Sequence, residues 1–435
     1  MKKSFSSRGL LLGLVFFAGN AHPQLDESER AIIDWVDANT VVPIELLENI
    51  VNIGSGTMNT AGVREVGSVL RAELDEVGLE TEWIELPSEM NRAGHLVGKL
   101  DGARGKKMLL IGHLDTVFEV DDGFQAYARE GNIATGPGID DMKSGDVVIV
   151  YALKALQAVG VLDGMQIIAF YTGDEEFAGR PLSISRRDLI ESGKWADVAL
   201  GFEAGQHFDG TDWGTVARRG ASGWRLEVTG RQAHSSQVFS EEVGAGAIFE
   251  VARILNAFYD RVRGEEYLTF NAGAILGGTT VEYDYELNRG TAFGKTNVVP
   301  NTVVVHGGIR TISPEQLERA QEGMLSVIVN SLPHTTATLT FDEGYPAMAP
   351  TAGNMVLQEM FSEINEALGR GPMLALDPLK RGAADISFVA PYADALAGLG
   401  GLGKGGHSPN ESFEINSMSL AVKRAAILMY RLSNQ

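Results

Sequence analysis

The chain has 435 residues, 44% hydrophobic and 21% charged, the composition of an ordinary globular protein with core for two or three domains. Its formal net charge of −21 argues against nucleic acid or an anionic membrane as a partner. It contains no cysteine, which excludes disulfides and thiolate zinc sites and makes an oxidising compartment harmless.

The N-terminus has the pattern of a secretory signal. Lys2, Lys3 and Arg8 form a basic start, Leu10 to Ala18 a short apolar run, and Gly19 and Ala21 supply small residues before a cut after Ala21. The run is too short to span a bilayer, and no later run is longer. The expectation is a signal peptide over 1–21 and a mature protein that is periplasmic or secreted and soluble, with an uncleaved anchor as the alternative.

Helical periodicity marks 28–53 and Thr60 to Val77, the latter with Val63, Val66, Leu70 and Leu74 on one face. Strands are predicted at Glu80–Leu86, His95–Lys99 and Lys107–Ile111, the last a continuous apolar run of buried type. A helix from Asp146 to Val159 separates them from apolar strands at Gln166–Tyr171 and Asp197–Leu200. Such alternation predicts an α/β sheet, where ligands gather beyond the carboxyl ends of the strands.

The pattern changes near Val216. Trp224–Val228 alternates like a half-exposed strand, and Glu241 to Val262 reads as a long amphipathic helix. Strands at Leu268–Leu276 and Val303–Arg310, a helix from Pro314 to Leu332 and a strand at Ala337–Phe341 follow. This strand-helix-strand-strand-helix-strand order predicts a ferredoxin-like α+β unit over 217–344, inserted into an α/β domain formed by 22–216 and 345–435.

Five stretches carry chemistry: Gly112-His113-Leu114-Asp115, Gly138-Ile139-Asp140-Asp141-Met142-Lys143, Gly173-Asp174-Glu175-Glu176, Gly201-Phe202-Glu203 and Gly406-His407-Ser408. Several lie a few residues after apolar strands. Together they offer imidazoles and carboxylates for two metals, with a spare glutamate as general base. By spacing alone, either Asp140 or Asp141 can be the ligand, and Glu175-Glu176 can be a solvated turn. His95, His207 and His334 fit surface histidines, and His306 a structural one.

These motifs, in this order, resemble the zinc exopeptidases that include glutamate carboxypeptidase, aminoacylase, acetylornithine deacetylase and succinyl-diaminopimelate desuccinylase. The likeness is greatest to the bacterial glutamate carboxypeptidases that cleave folate-type substrates. It implies an α/β catalytic domain with an inserted lid and dimerisation domain, two zinc ions per subunit, and a homodimer. His113 and His407 would each bind one zinc, Asp141 would bridge both, and Glu176 and Glu203 would be terminal ligands. Asp115 would orient the His113 imidazole, and Glu175 would be the general base. A non-proline cis bond would follow Asp141.

In the inserted unit, Gly230-Arg231-Gln232-Ala233-His234-Ser235 resembles the segment whose histidine reaches the partner's active site and stabilises the oxyanion. Lys295-Thr296-Asn297 resembles the segment whose asparagine touches the substrate carboxylate, and Arg310 the arginine that holds it. The aspartate that usually precedes that arginine is replaced here by Gly308. Glutamate-releasing relatives also carry an arginine where Gly344-Tyr345-Pro346 stands, so the released residue need not be glutamate; Arg381 and Lys404 are then further candidates for touching substrate. The implied activity is hydrolysis of an amide next to a free carboxylate in a small peptide, with N-acyl-amino-acid deacylation or a dipeptidase activity of the same family as the alternative.

Overall fold

The computed structural model describes residues 25–285 and 287–435. The signal-peptide expectation over 1–21 lies outside them. No helix among the described residues is long and apolar enough to cross a membrane.

Three helices open the described chain: α1 (Glu27–Ala38), α2 (Val42–Val51) and α3 (Thr60–Val77). The periodic stretch predicted as one helical region is broken between α1 and α2. Pro43, in the first turn of α2, fits there because the amide it lacks has no helical partner in any case. Asp26 caps α1 reciprocally with Glu29, and Gly78, at φ 92°, ends α3 in the left-handed region.

The main sheet has six strands. In chain order the first four are β1 (Glu80–Ile84), β2 (His95–Leu100), β3 (Arg104–His113) and β4 (Met165–Thr172). The last two are β5 (Val198–Gly201) and, far along the chain, Asp394–Ala397. Their spatial order is β1-β2-β4-β3-β5 followed by Asp394–Ala397. The last four strands in that order run parallel, and β1 and β2 pair antiparallel at one edge. Alternate residues of β3 explain its unbroken apolar run. Met108 and Leu110 face one core with Leu70 and Val147, while Leu109 and Ile111 face another with Leu189 and Val389. A sheet covered on both faces needs apolar residues at every position. The architecture is thus a three-layer α/β unit.

The second sheet is drawn from residues between Ser222 and Phe341. Strands β6 (Ser222–Gly230), β7 (Thr269–Gly278), β8 (Thr302–Arg310) and β9 (Thr335–Phe341) pair antiparallel in the order β7-β8-β6-β9. Helices Ala247–Arg261 and Pro314–Ile328 pack on it through Val251, Ile254, Phe258 and Met324. This is the ferredoxin-like order. The first of these helices starts at Ala247 rather than Glu241, because Gly244 and Gly246 hold positive φ and break the turn before it. A hairpin, Thr280–Asp284 with Arg289–Phe293, was not anticipated; its strands are largely exposed and give a weak alternation signal.

Candidate metal and catalytic site

Three of the five chemical stretches follow the rule for open α/β sheets. His113 is the last residue of β3; Glu175 and Glu176 follow β4, and Glu203 follows β5. Asp141 lies in the turn before helix α4 (Ser144–Ala158), and the Asp141–Met142 bond is cis, as the resemblance implied. Gly145, in the first turn of α4, lets this turn press against the Glu203 segment: a Cβ there would meet Phe202 O at 1.9 Å. His407 arrives from the C-terminal part of the chain with φ 63°, a left-handed conformation that non-glycine residues rarely adopt and that often marks a functional position.

These residues converge. Asp141 turns one carboxylate oxygen toward each histidine: Oδ1 lies 3.3 Å from His113 Nε2, and Oδ2 lies 3.1 Å from His407 Nε2. Glu176 Oε2 is 3.2 Å from the same His407 nitrogen. Ligand atoms of His113, Asp141 and Glu176 fall within 4.8 Å of one another. Glu176 Oε1 is buried without a hydrogen-bond partner. An orphaned carboxylate oxygen beside two imidazoles and a carboxylate that spans both is a donor set that fits metal ions with N and O ligands. Asp140, by contrast, makes no hydrogen bond or ion pair with either histidine, and its Oδ1 is buried without a partner. It points toward Gly403, where a Cβ would meet its Oδ1 at 2.1 Å, and burial with Asp141 and Glu411 nearby raises its pKa well above the carboxylate range.

The electrostatics follow from the same contacts. Burial would raise Asp141, but hydrogen bonds from the two histidines override it and hold it below its ordinary value. His407 is pushed up to about 11 by Asp141 and Glu176. Burial works against a charged His113, yet Asp115 and Asp141 raise it well above its ordinary value. A metal binding here would compete with protons on both rings. Glu175 is held well above the usual carboxylate range, first by burial and then by neighbouring Asp385, Glu176 and Glu203, against the opposing effect of His113. An acid whose pKa is displaced toward neutrality suits proton transfer.

Asp115 does more than orient an imidazole. It is fully buried, and its Oδ1 lies 3.5 Å from His113 Nδ1. Its carboxylate also accepts the amides of Glu175 at 2.9 Å and Glu176 at 3.1 Å, and the Thr57 hydroxyl at 2.6 Å. His113 Nδ1 is hydrogen-bonded to the Asp115 carbonyl at 3.0 Å, so this one residue fixes a histidine through its main chain and the two-glutamate turn through its carboxylate.

Several site residues escaped sequence reasoning. Glu203 Oε2 is paired with Arg218 at 2.6 Å and Arg381 at 3.3 Å. Arg381 was a candidate for touching substrate; its Nη2 engages Glu203 and donates to Ala204 O at 3.2 Å, while its buried Nε has no hydrogen-bond partner. Glu411 accepts the amides of Gly138, Asp140 and Asp141 and so pins the turn that carries Asp141. Its position four residues after His407 was the available signal. His95, expected at the surface, is buried: Ser185 O lies 2.9 Å from its Nε2, and burial lowers its pKa. Its place at the start of an apolar strand gave that away. His207 and His334 are exposed, and His306 sits in β8 against Tyr283.

The candidates in the second sheet lie apart. His234 and Asn297 share one short ribbon, in which Ala233–His234 pairs with Val298–Val299 and Ser235 N donates to Asn297 O at 2.9 Å. Arg310 ends β8 and lines a cavity of about 350 Å³ with Ser222, Thr269 and Asn271. Gly308 lines it too, and no carboxylate braces Arg310 among the described residues. Nor does any hydrogen bond or ion pair among them join His234, Asn297 or Arg310 to the five candidate ligands. His234 and Arg310 are exposed.

Comparison with known proteins agrees with this geometry. The model of peptidase family M20/M25/M40 matches residues 109–431. Carboxypeptidase G2 of Pseudomonas sp. (strain RS-16) is 27% identical over 401 residues, covering 90% of this chain and 89% of the relative. Among solved structures, the aminopeptidase PepT of Bacillus cereus aligns with a TM-score of 0.68 at 17% identity, covering 90% of this chain and 98% of that one. A Bacillus subtilis protein described as a dinuclear metal-binding peptidase of the M20 family aligns at 0.62 and 13% identity, covering 92% and 99%. With a family model spanning well over half its length, this chain belongs to peptidase family M20/M25/M40 and is a hydrolase.

Proposed function

We propose that this protein is an exported carboxypeptidase that holds two zinc ions and hydrolyses an amide bond next to a free C-terminal carboxylate. The observation that carries the reading is Asp141 set between two histidines, with one oxygen toward each, beside a buried glutamate pair. His113, Glu203 and Asp141 would hold one ion; His407, Glu176 and Asp141 the other. Bound zinc supplies Lewis acidity, which polarises a carbonyl and acidifies water.

The chain's own groups do the rest. Glu175 takes the proton of the attacking water and passes it to the leaving amine, a role its raised pKa fits. Asp115 keeps His113 and the Glu175-Glu176 turn in register. Arg218 and Arg381 hold the Glu203 carboxylate in place at the edge of the site. Arg310 is an always-charged group that no hydrogen bond or ion pair engages among the described residues, suited to a substrate carboxylate, and Asn297 supports the same end. His234, exposed on its ribbon, would stabilise the oxyanion from the partner subunit of a homodimer. The basic start and short apolar run before Ala21 support export.

The deciding experiment compares zinc-loaded enzyme on a set of dipeptides, their C-terminal amides, and acetylated or succinylated amino acids. Free-acid dipeptides should be cleaved and their amides spared. Preferential cleavage of the acylated amino acids would make the protein a deacylase, and equal cleavage of acid and amide would abandon the carboxypeptidase reading.

A further inference from the structure

The chain crosses between its two sheets twice, and the crossings are zipped together. Arg218 pairs with Met348 and Ala221 with Tyr345 as antiparallel bridges, each with two N–H···O bonds of 2.9 Å. Side chains of this ribbon reach the catalytic site at two points. Arg218, on the outgoing strand, grips Glu203. Tyr345, on the returning strand, donates its hydroxyl to the backbone carbonyl of Glu175 at 2.8 Å.

That hydroxyl is itself fixed. It accepts from Arg186 Nη2 at 2.8 Å, and its ring packs edge-on against Phe388 with centroids 4.9 Å apart. Arg186 is fully buried, and the rest of its fork is occupied. It donates to Asp174 Oδ1 at 2.6 Å, to Asp174 O at 2.9 Å and to Asp385 Oδ1 at 2.7 Å. The peptide joining Glu175 to Glu176 is therefore held from both sides: its N–H by Asp115 and its C=O by Tyr345. We infer that Tyr345 is a positioning residue for Glu175, and that its hydroxyl locks the peptide from which the catalytic carboxyl projects. With Asp115 alone, that peptide plane keeps one anchor and can rock about it. A displacement of about 1 Å at a reacting group can cost roughly 100-fold in rate.

The inference rests on Glu175 being the base, and the test separates the two. Tyr345→Phe removes one oxygen and keeps the ring packing. It should lower kcat by about 10-fold, with KM within about twofold of wild type and zinc content unchanged. In a Glu175→Gln background, Tyr345→Phe should cost nothing further, because two changes acting through one group are not additive. If the 10-fold loss persists in that background, or arrives as lost zinc or raised KM, Tyr345 is structural and the inference is overturned. An unchanged kcat overturns it equally. If Glu175→Gln itself leaves turnover intact, the proposed role of Glu175 fails instead.

Discussion

The two sheets present their functional candidates in opposite ways. Beyond the six-stranded sheet, most are braced: Asp115 takes four contacts, Glu203 meets two arginines, and Glu411 accepts three amides of the Asp141 turn. In the inserted unit, His234 and Arg310 are exposed, and no ion pair engages Arg310 among the described residues. Buried, hydrogen-bonded charges hold their geometry before substrate arrives, whereas exposed ones contribute little until something desolvates them. In the proposed function the metal ligands and the base are thus pre-set within one chain, whereas the exposed groups would be engaged only by a substrate carboxylate or a second subunit.

Changes on the braced side should be the most damaging. Glu175→Gln should cut turnover by ~100- to 10,000-fold, the range for a lost general base, while zinc content by metal analysis stays near wild type. Glu176→Gln should lose zinc along with activity. Equal zinc loss in both would erase the distinction between base and ligand. Asp141→Asn should abolish binding of both ions together, and Asp140→Asn, whose side chain faces Gly403 rather than the histidines, should keep them. The reverse result would move the bridge by one residue.

What the sequence disclosed follows the same divide. The apolar strands and the residues just beyond them were legible, because a strand buried on both faces must be apolar throughout and ligands gather at its carboxyl end. Helix α3 was placed with its observed ends, Thr60 and Val77, since one clean apolar stripe defines it. The bracing residues were not legible. Arg186 and Asp385 lie 199 positions apart, and Thr57 and Asp115 lie 58 apart; only the fold brings them together. Arg381 was visible as a charge, but its partner was not, because a sequence does not say which carboxylate a guanidinium will face. The Asp140–Asp141 choice needed a family pattern, since adjacent residues share every local signal.

On the recognition side, effects should be moderate. Amidating the substrate's C-terminus should lower kcat/KM by ~10- to 1,000-fold, corresponding to about 1.5–4 kcal/mol for a lost charge-assisted bond and the unpaired arginine left behind. Arg310→Ala should erase the difference between acid and amide. Arg381→Ala should retain it, and should instead weaken zinc binding, because its guanidinium serves Glu203. If Arg381→Ala abolishes the acid preference and Arg310→Ala does not, the carboxylate is read from the braced side, and the division between the halves is misplaced.

The smallest signal tests whether the recognition half is completed by a second subunit. His234→Ala and Glu175→Gln chains should each be nearly inactive alone. If His234 acts across a twofold axis, a mixed dimer has one repaired site: the His234→Ala chain keeps its own Glu175 and receives His234 from the other chain. Its second site lacks both groups. Random mixing makes half the dimers mixed, so activity should recover to roughly a quarter of wild type after unfolding and refolding the two variants together. Light scattering should report a dimer throughout. If mixing restores nothing although dimers form, His234 acts within its own chain, and closing the second sheet onto the first would have to bring it to the site. A fully active monomer would remove the twofold axis altogether, and the single chain would then hold all that the reaction needs.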